Sequence, residues 1–146
     1  MVEKTWFDNF DLEFANAHSE NSLVSHLGIQ FVSSDEHSVT TRMPVDQRTV
    51  QPAGVLHGGA SVALAETTAT WAATFAVDRT KFHCVGMEIN ANHIRPVHSG
   101  FVFATARALH LGLRTQVWEV RIVDENDKLV CVSRMTAAVL SKPSGY

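Results

Sequence analysis

The pattern of apolar and polar positions predicts a long helix followed by a sheet. Residues 60–77 are almost all small or apolar, without glycine or proline, and suit about four or five helical turns. Apolar side chains fall on nearly every side of this helix, which is typical of a helix enclosed by other structure. Apolar stretches near 83–95, 101–110, 114–124 and 128–140, separated by turn residues, then predict an antiparallel meander of strands.

The first part of the chain has a weaker pattern. Residues 28–43 have strand character, which Pro44 ends, and glycines and prolines make the next residues, up to Gly59, a loop. Residues 1–27 are predicted as an amphipathic helical lead-in, because apolar residues recur there at spacings of three or four: Phe7, Phe10, Phe14 and Ala17. Together these elements predict one α+β domain over residues 1–146, with the sheet wrapped around the long helix.

Composition and charge exclude several classes of protein. Hydrophobic residues make up 45% of the chain and charged residues 18%, which suits a large core or a surface buried in an oligomer. The net charge of -3 argues against nucleic acid as a partner. With neither a secretory signal nor an apolar run of about 18 residues, we expect no membrane association and a cytoplasmic location.

Neither the cysteines nor the histidines form a metal-binding pattern. Cys84 and Cys131 stand singly in apolar stretches, which fits neither a disulfide framework nor a zinc site. His93 and His98 lack a third ligand at a suitable spacing. The sequence therefore predicts no metal.

Glu66 is the one charged residue between His57 and Asp78, on a helix that otherwise suits burial. An isolated carboxylate in apolar surroundings is costly and either finds partners or holds a raised pKa. A catalytic base or nucleophile is one interpretation. A structural ion pair, or a position facing a water-filled crevice, is the other.

The helix entrance carries the sequence Leu56-His57-Gly58-Gly59. Glycines allow close approach to the backbone, and the unpaired amides of a first helical turn favour a developing oxyanion. A tight loop-to-helix turn explains the same pattern without chemistry. Gly58 and Glu66 are about 12 Å apart along a straight helix, so one small group cannot reach both in one chain. A site using both requires two antiparallel copies of the helix side by side, as in a two-fold dimer.

These residues resemble the hot-dog-fold acyl-CoA thioesterases, in the Glu-type 4-hydroxybenzoyl-CoA group that also acts on dihydroxynaphthoyl-CoA and acylated carrier proteins. The resemblance covers roughly residues 23 to 140. It rests on six segments: Met43–Asp46, Gln51–Pro52, Gly54–Val62, Ala65–Glu66, Gly86–His93 and Leu109–Gly112, the last followed by Arg114.

The resemblance implies roles for these residues. Glu66 would act as nucleophile or as the base that activates water, and the Gly58 amide would polarise the thioester carbonyl from the other subunit. Gln51 and His57 would help to orient that carbonyl. A CoA groove would be lined by Gly86, His93, Arg95, His110, Gly112, Leu113, Arg114 and Thr115.

Two functions of different classes remain open from the sequence. The first is hydrolysis of acyl-CoA or acyl-carrier-protein thioesters without a cofactor. For this function the resemblance favours aromatic acyl groups and implies a homotetramer built as a dimer of dimers. From helix facing, the acyl pocket would be lined by Thr67, Thr70, Trp71 and Met87. The second is a non-catalytic acyl-CoA binding or sensing module on the same fold. A hydratase is disfavoured, because no Asp–His pair stands at the helix entrance.

Overall fold

The computed structural model describes residues 4–143. Its helices are α1 (Leu12–His18), α2 (Leu23–His26) and α3 (Gly58–Phe75). Its strands are β1 (Gln30–Ser34), β2 (Ser38–Pro44), β3 (Phe82–His93), β4 (Phe101–Leu111), β5 (Thr115–Asp124) and β6 (Leu129–Ser141). The predicted long helix and the four strands after it are confirmed to within a few residues.

All six strands form one antiparallel sheet in the order β1-β2-β4-β5-β6-β3. Strands β4, β5 and β6 form the predicted meander, but β3 lies beside β6 and not beside β4. The prediction of a four-strand meander is wrong for β3. Residues 94–100 return the chain across the sheet to β4, held where the Leu56 N–H donates to the Val97 carbonyl at 2.8 Å. Strand β3 is therefore an edge strand, paired on one side only.

Helix α3 packs against one face of the sheet. The side facing the strands is buried and rich in small residues, which allows close packing of helix on sheet: Ser61, Leu64, Ala65, Thr68, Ala69, Ala72, Ala73 and Phe75. The sheet supplies alternating buried side chains, on β5 Gln116, Trp118, Val120 and Ile122. The opposite side of α3, which includes Ala63, Glu66 and Thr70, is only half-buried. The prediction of a helix enclosed on all sides is therefore wrong for the single chain.

The predicted N-terminal amphipathic helix is wrong over most of its length. Residues 1–3 lie outside the described part, and α1 begins only at Leu12, because the Asp11 carboxylate caps it by accepting from the Phe14 N–H at 2.9 Å. The residues before α1 are irregular, and two of their aromatic side chains, Trp6 and Phe10, are buried in the core. Trp6 stacks on Trp118 with ring centroids 6.1 Å apart, and Phe10 packs on Phe75 at 4.3 Å.

The predicted strand over residues 28–43 is two strands joined by a tight turn. The Asp35 carboxylate forms this turn by accepting hydrogen bonds from the N–H groups of His37 and Ser38, at 2.8 and 2.7 Å. These bonds hold the pKa of the Asp35 carboxyl below its usual value. The turn sets β1 against β2 as a hairpin.

Candidate functional site

The entrance of α3 is built by His57. Its backbone is extended, and its imidazole Nδ1 accepts a hydrogen bond from the Gly59 N–H at 2.8 Å, which makes it the N-cap. The Ala60 and Ser61 N–H groups donate to the His57 carbonyl. Among residues 4–143, the Gly58 N–H donates to no acceptor. It is thus a free donor at the positive end of the helix.

Backbone and side-chain hydrogen bonds and one ion pair hold the loop before α3 in place. The His57 N–H donates to the Thr49 carbonyl at 2.8 Å, and the buried Thr49 hydroxyl donates to the Pro44 carbonyl at 2.7 Å. Arg48 grips Asp46 by its guanidinium at 2.7 Å, and this bond keeps the pKa of the Asp46 carboxyl below its usual value. These contacts fix the position of the loop end that carries Gln51.

Gln51 and Gly58 line one cleft of about 290 Å³. The Gln51 side-chain oxygen Oε1 accepts a hydrogen bond from the Ala53 N–H. The side-chain nitrogen of Gln51 donates to no acceptor among the described residues. His93 lies against Gly58: a methyl group on Gly58 would lie 2.7 Å from His93 Nε2. Arg95 also lines this cleft, and its lining contains no carboxylate. The first cleft therefore collects hydrogen-bond donors and positive charge.

Glu66 lines a second, separate cavity of about 330 Å³. Its carboxylate is half-buried, and none of the ion pairs formed within residues 4–143 includes it. The structural ion pair considered from the sequence is therefore not formed in this part of the chain. The cavity is otherwise apolar with two hydroxyls, and is lined by Leu23, Val24, Ala63, Thr67, Thr70 and Trp71.

The two clefts lie at different positions along α3. Gly58 is at the first turn and Glu66 follows eight residues later, which corresponds to about 12 Å of helix. In one chain, the free amide and the free carboxylate therefore face different cavities. One acyl carbonyl cannot contact both.

The residues predicted for a CoA groove fall into two groups. Thr115 lies level with Ala138 on β6, whereas His93 lies level with Cys131, about 23 Å away along that strand. His93 and Arg95 thus share the cleft of Gly58. The second group lies at the other end of the sheet: His110, Gly112, Leu113, Arg114 and Thr115. Gly86 lies level with Ala137 on β6, at the same end of the sheet as Thr115, and also lies against the Glu66 carboxylate.

Sequence reasoning missed several residues that line these cavities, among them Ser61, Leu23 and Val24. Ser61, which is 2% exposed, lines the first cleft one turn after Gly58, a spacing that could have revealed it. Leu23 and Val24 of the short helix α2 cover the Glu66 cavity, and no pattern in the sequence links them to α3. Met87, predicted for this cavity, does not line it and is 62% exposed.

Two properties of the described residues bear on other functions. Within residues 4–143, no cluster of three or more His, Cys, Asp or Glu side chains is arranged to hold a metal ion. No helix in that part of the chain combines the length and the apolar composition needed to cross a membrane.

Comparison with known proteins identifies the family of this chain. Residues 53–131 match the family model described as thioesterase superfamily. The chain is 44% identical to the 1,4-dihydroxy-2-naphthoyl-CoA hydrolase of Escherichia coli over 92% of this chain and 98% of that protein. It is equally similar, with the same coverage, to the proofreading thioesterase EntH of Klebsiella pneumoniae.

Two similar solved structures are also thioesterases. A crystal structure of a mutant of thioesterase PA1618 from Pseudomonas aeruginosa superimposes with a TM-score of 0.93 at 47% identity, covering 94% of this chain and 99% of that one. Thioesterase HI1161 from Haemophilus influenzae superimposes with a TM-score of 0.92 at 46% identity, covering 97% and 99%. The chain belongs to the thioesterase superfamily and has the hot-dog fold. It is a thioester hydrolase, as the resemblance implied.

Proposed function

We propose that this enzyme hydrolyses acyl-CoA thioesters, with aromatic acyl groups preferred, to the free acid and CoA. One observation carries the proposal: a free backbone amide at Gly58 and an unpaired carboxylate at Glu66 stand on the same helix, each facing a cavity. Thioester hydrolysis needs a donor for the carbonyl oxygen and a base or nucleophile for the carbonyl carbon. The substrate class is that of the similar 1,4-dihydroxy-2-naphthoyl-CoA hydrolase.

The active site is proposed to form between two copies of the chain. Strand β3 has a free edge along twelve residues, Phe82–His93, with apolar Val85 and Met87 exposed beside it. Such an edge is a template for pairing with another strand. Antiparallel pairing of β3 with its own copy sets the two α3 helices side by side on one face of a continuous sheet. Gly58 of one copy then approaches Glu66 of the other.

The proposed chemistry follows from these two groups. The Gly58 N–H donates to the thioester oxygen, where negative charge develops, and the Gln51 amide and His57 orient the carbonyl. Glu66 either takes a proton from water as the water oxygen attacks the carbonyl carbon, or attacks that carbon itself before water releases the acid. In both routes the C–S bond breaks, and a proton from Glu66 or water neutralises the leaving thiolate. No cofactor enters either route.

The same pairing explains the separation of the predicted CoA-binding residues. An antiparallel copy reverses its sheet, so its segment 110–115 lies at the same end as His93 and Arg95 of the first copy. Phosphate groups favour Arg95 and Arg114 as partners. A CoA molecule extending from the cleft of Gly58 across the sheet would contact residues from both copies.

The acyl group is assigned to the cavity of Glu66. Its apolar lining with Thr67, Thr70 and Trp71 suits a flat group that carries polar substituents. An acylated carrier protein presents the same thioester on the same pantetheine arm, and is the second candidate substrate. We propose a cytoplasmic homotetramer, assembled as two such dimers.

The experiment is a hydrolysis screen with thiol detection over aromatic and aliphatic acyl-CoAs and one acylated carrier protein. Wild-type enzyme, Glu66→Gln and a control, Glu13→Gln, are compared. Glu13 is an exposed carboxylate in the first turn of α1. We expect Glu66→Gln to lower kcat on aromatic acyl-CoA by at least about 100-fold, the scale of a positioned acid–base group, with Glu13→Gln unchanged. Full activity of Glu66→Gln would remove Glu66 from the mechanism.

A further inference from the structure

Gly86 is a point of close approach between strand β3 and the Glu66 carboxylate. A methyl group built on Gly86 would lie 2.5 Å from Glu66 Oε1, 3.5 Å from Cδ and 3.8 Å from Cγ. The first distance is shorter than real Cβ atoms show, so the space is free only because residue 86 has no side chain.

A positive φ is not the reason for glycine at this position. The glycines with positive φ are Gly28, Gly54 and Gly100, and Gly86 is not among them. A glycine within a strand weakens it, and often marks a bulge or a close approach of another group. Both occur here: the β3–β6 register shifts between Gly86 and Glu88, which makes Met87 an extra residue.

The bulge determines which residue of β3 faces the Glu66 carboxylate. Before it, Cys84 is buried and its Sγ donates to the Ala73 carbonyl of α3 at 3.4 Å, so residues 84 and 86 face the helix. After it, Ile89 packs against the core, so the helix-facing positions become odd-numbered. The bulge therefore ends one helix-facing series at Gly86, where the carboxylate lies.

We propose that Gly86 is a positioning residue, which leaves the notch in β3 that holds the Glu66 carboxylate in its reactive place. The inference rests on the function proposed for Glu66. Gly86 touches no reacting atom in this role and acts through Glu66. The resemblance had assigned it to a CoA groove, and the two roles predict different kinetics.

The size of the expected effect follows from the distances. To move from 2.5 Å to an ordinary contact of 3.4 Å from a new methyl group, the carboxylate must shift by about 0.9 Å. Misplacing a catalytic group by about 1 Å can cost about 100-fold in rate. In the proposed role Gly86 acts on the carboxylate and not on CoA, so we expect KM to stay nearly unchanged.

The test measures kcat and KM of Gly86→Ala on an aromatic acyl-CoA. The control is Val32→Ala, a change at an exposed residue of β1, the strand at the opposite edge of the sheet from β3. We expect Gly86→Ala to lower kcat by about 100-fold with KM within about threefold, and Val32→Ala to lower kcat by less than about threefold. A rise in KM at unchanged kcat would assign Gly86 to the CoA groove and overturn the proposal.

A double-mutant cycle adds a readout that a purely structural role of Gly86 would not move. Glu66→Asp shortens the acid by one methylene, which makes room for the new methyl group. The rate penalty of Glu66→Asp should therefore be at least about tenfold smaller in the Gly86→Ala background than in wild type. Equal penalties in both backgrounds would contradict the proposal.

Thermal unfolding keeps the test valid if Gly86→Ala folds poorly. Any loss of melting temperature in Gly86→Ala should disappear when Glu66→Ala is added, because the clash is with that side chain. A loss that persists in the double variant would overturn the proposal. The activity of Glu66→Gln distinguishes a failure of the proposed function from a failure of this inference. An active Glu66→Gln enzyme contradicts the proposed function. An inactive Glu66→Gln enzyme together with a fully active Gly86→Ala enzyme contradicts this inference alone.

Discussion

The His57 imidazole accepts the Gly59 N–H at 2.8 Å, and Gly58 between them keeps a free N–H. One side chain thus satisfies the second amide of α3 and leaves the first open. The Ala60 and Ser61 N–H groups donate to the His57 carbonyl, so Gly58 is the amide of the first turn that is available to an oxyanion. The proposed mechanism uses that amide.

Replacing Gly58 with proline tests the amide itself. Proline is favoured at the first position of a helix, and the preceding His57, with φ -70° and ψ 130°, already has the extended conformation that proline requires. We expect Gly58→Pro to fold and to lower kcat by about 100-fold or more, the usual effect of losing one oxyanion donor.

Gly58→Ala is the matched control for that variant. It brings the same crowding against His93 but keeps the N–H. Because His93 is an exposed side chain that can move, Gly58→Ala should retain most of the activity. Equal losses in both variants would assign the effect to crowding and would remove the amide from the mechanism.

The free edge of β3 predicts the effect of a charge placed there. Met87 is 62% exposed at the bulge of this edge, and a lysine on an edge strand opposes pairing with another strand. We expect Met87→Lys to dissociate the dimer and abolish activity, as measured by sedimentation and thioester hydrolysis. Leu113→Lys, at a residue 94% exposed on the β4–β5 turn, is the control and should stay associated. An associated Met87→Lys enzyme would place the interface elsewhere.

The hairpin turn at Asp35 predicts a pH dependence of stability. The pKa of Asp35 is lowered in the folded protein by the hydrogen bonds from His37 and Ser38, so the ionised form stabilises the fold. This contribution is present above the unfolded pKa of about 3.9 and is lost as pH falls through the lower folded pKa.

Urea unfolding of wild type and Asp35→Ala measures that contribution. At pH 7 the variant should be less stable by about 1 kcal/mol, since the bonds are partly exposed. The difference should shrink as pH falls below about 4, where wild type also loses the charge. A difference that is constant from pH 7 to pH 3 would contradict the assignment.

The N-terminal segment predicts a further effect on stability. Trp6 is 5% exposed, stacks on Trp118, and its Nε1 donates to the Asp35 carbonyl at 2.6 Å. Trp6→Ala should lower the free energy of unfolding by about 3 kcal/mol, typical of deleting a buried aromatic side chain. Trp6→Phe keeps the stacking and should lose less. An unchanged unfolding midpoint in Trp6→Ala would contradict a core role for this segment.

Local patterns predicted α3 and the later strands well, because their signals lie within each element. The uninterrupted run of residues 60–77 and the alternation along β5 needed no tertiary information. Periodicity failed near the N-terminus, where Phe10 and Phe14 have helical spacing although only Phe14 lies in a helix. Contacts of these aromatics with α3 decide their conformation, and such contacts are invisible to a local pattern.

Tertiary contacts also explain what was missed at the candidate site. The sequence indicated Glu66 and Gly58, and helix geometry predicted that they are too far apart to meet in one chain. No local pattern links Gly86 to Glu66, because their proximity depends on how β3 pairs within the sheet and packs against α3. The contribution of Leu23 likewise depends on how α2 packs over α3.

Mixing two inactive variants tests the shared site most directly. Glu66→Gln and Gly58→Pro chains are unfolded together in equal amounts and refolded, and thioester hydrolysis is compared with each variant refolded alone. If each site takes Gly58 from one chain and Glu66 from the other, half of the dimers are hybrids with one intact site in two. Activity should then recover to about a quarter of the wild-type value per chain. Activity of the mixture no higher than the mean of the two variants would contradict a site formed by two chains.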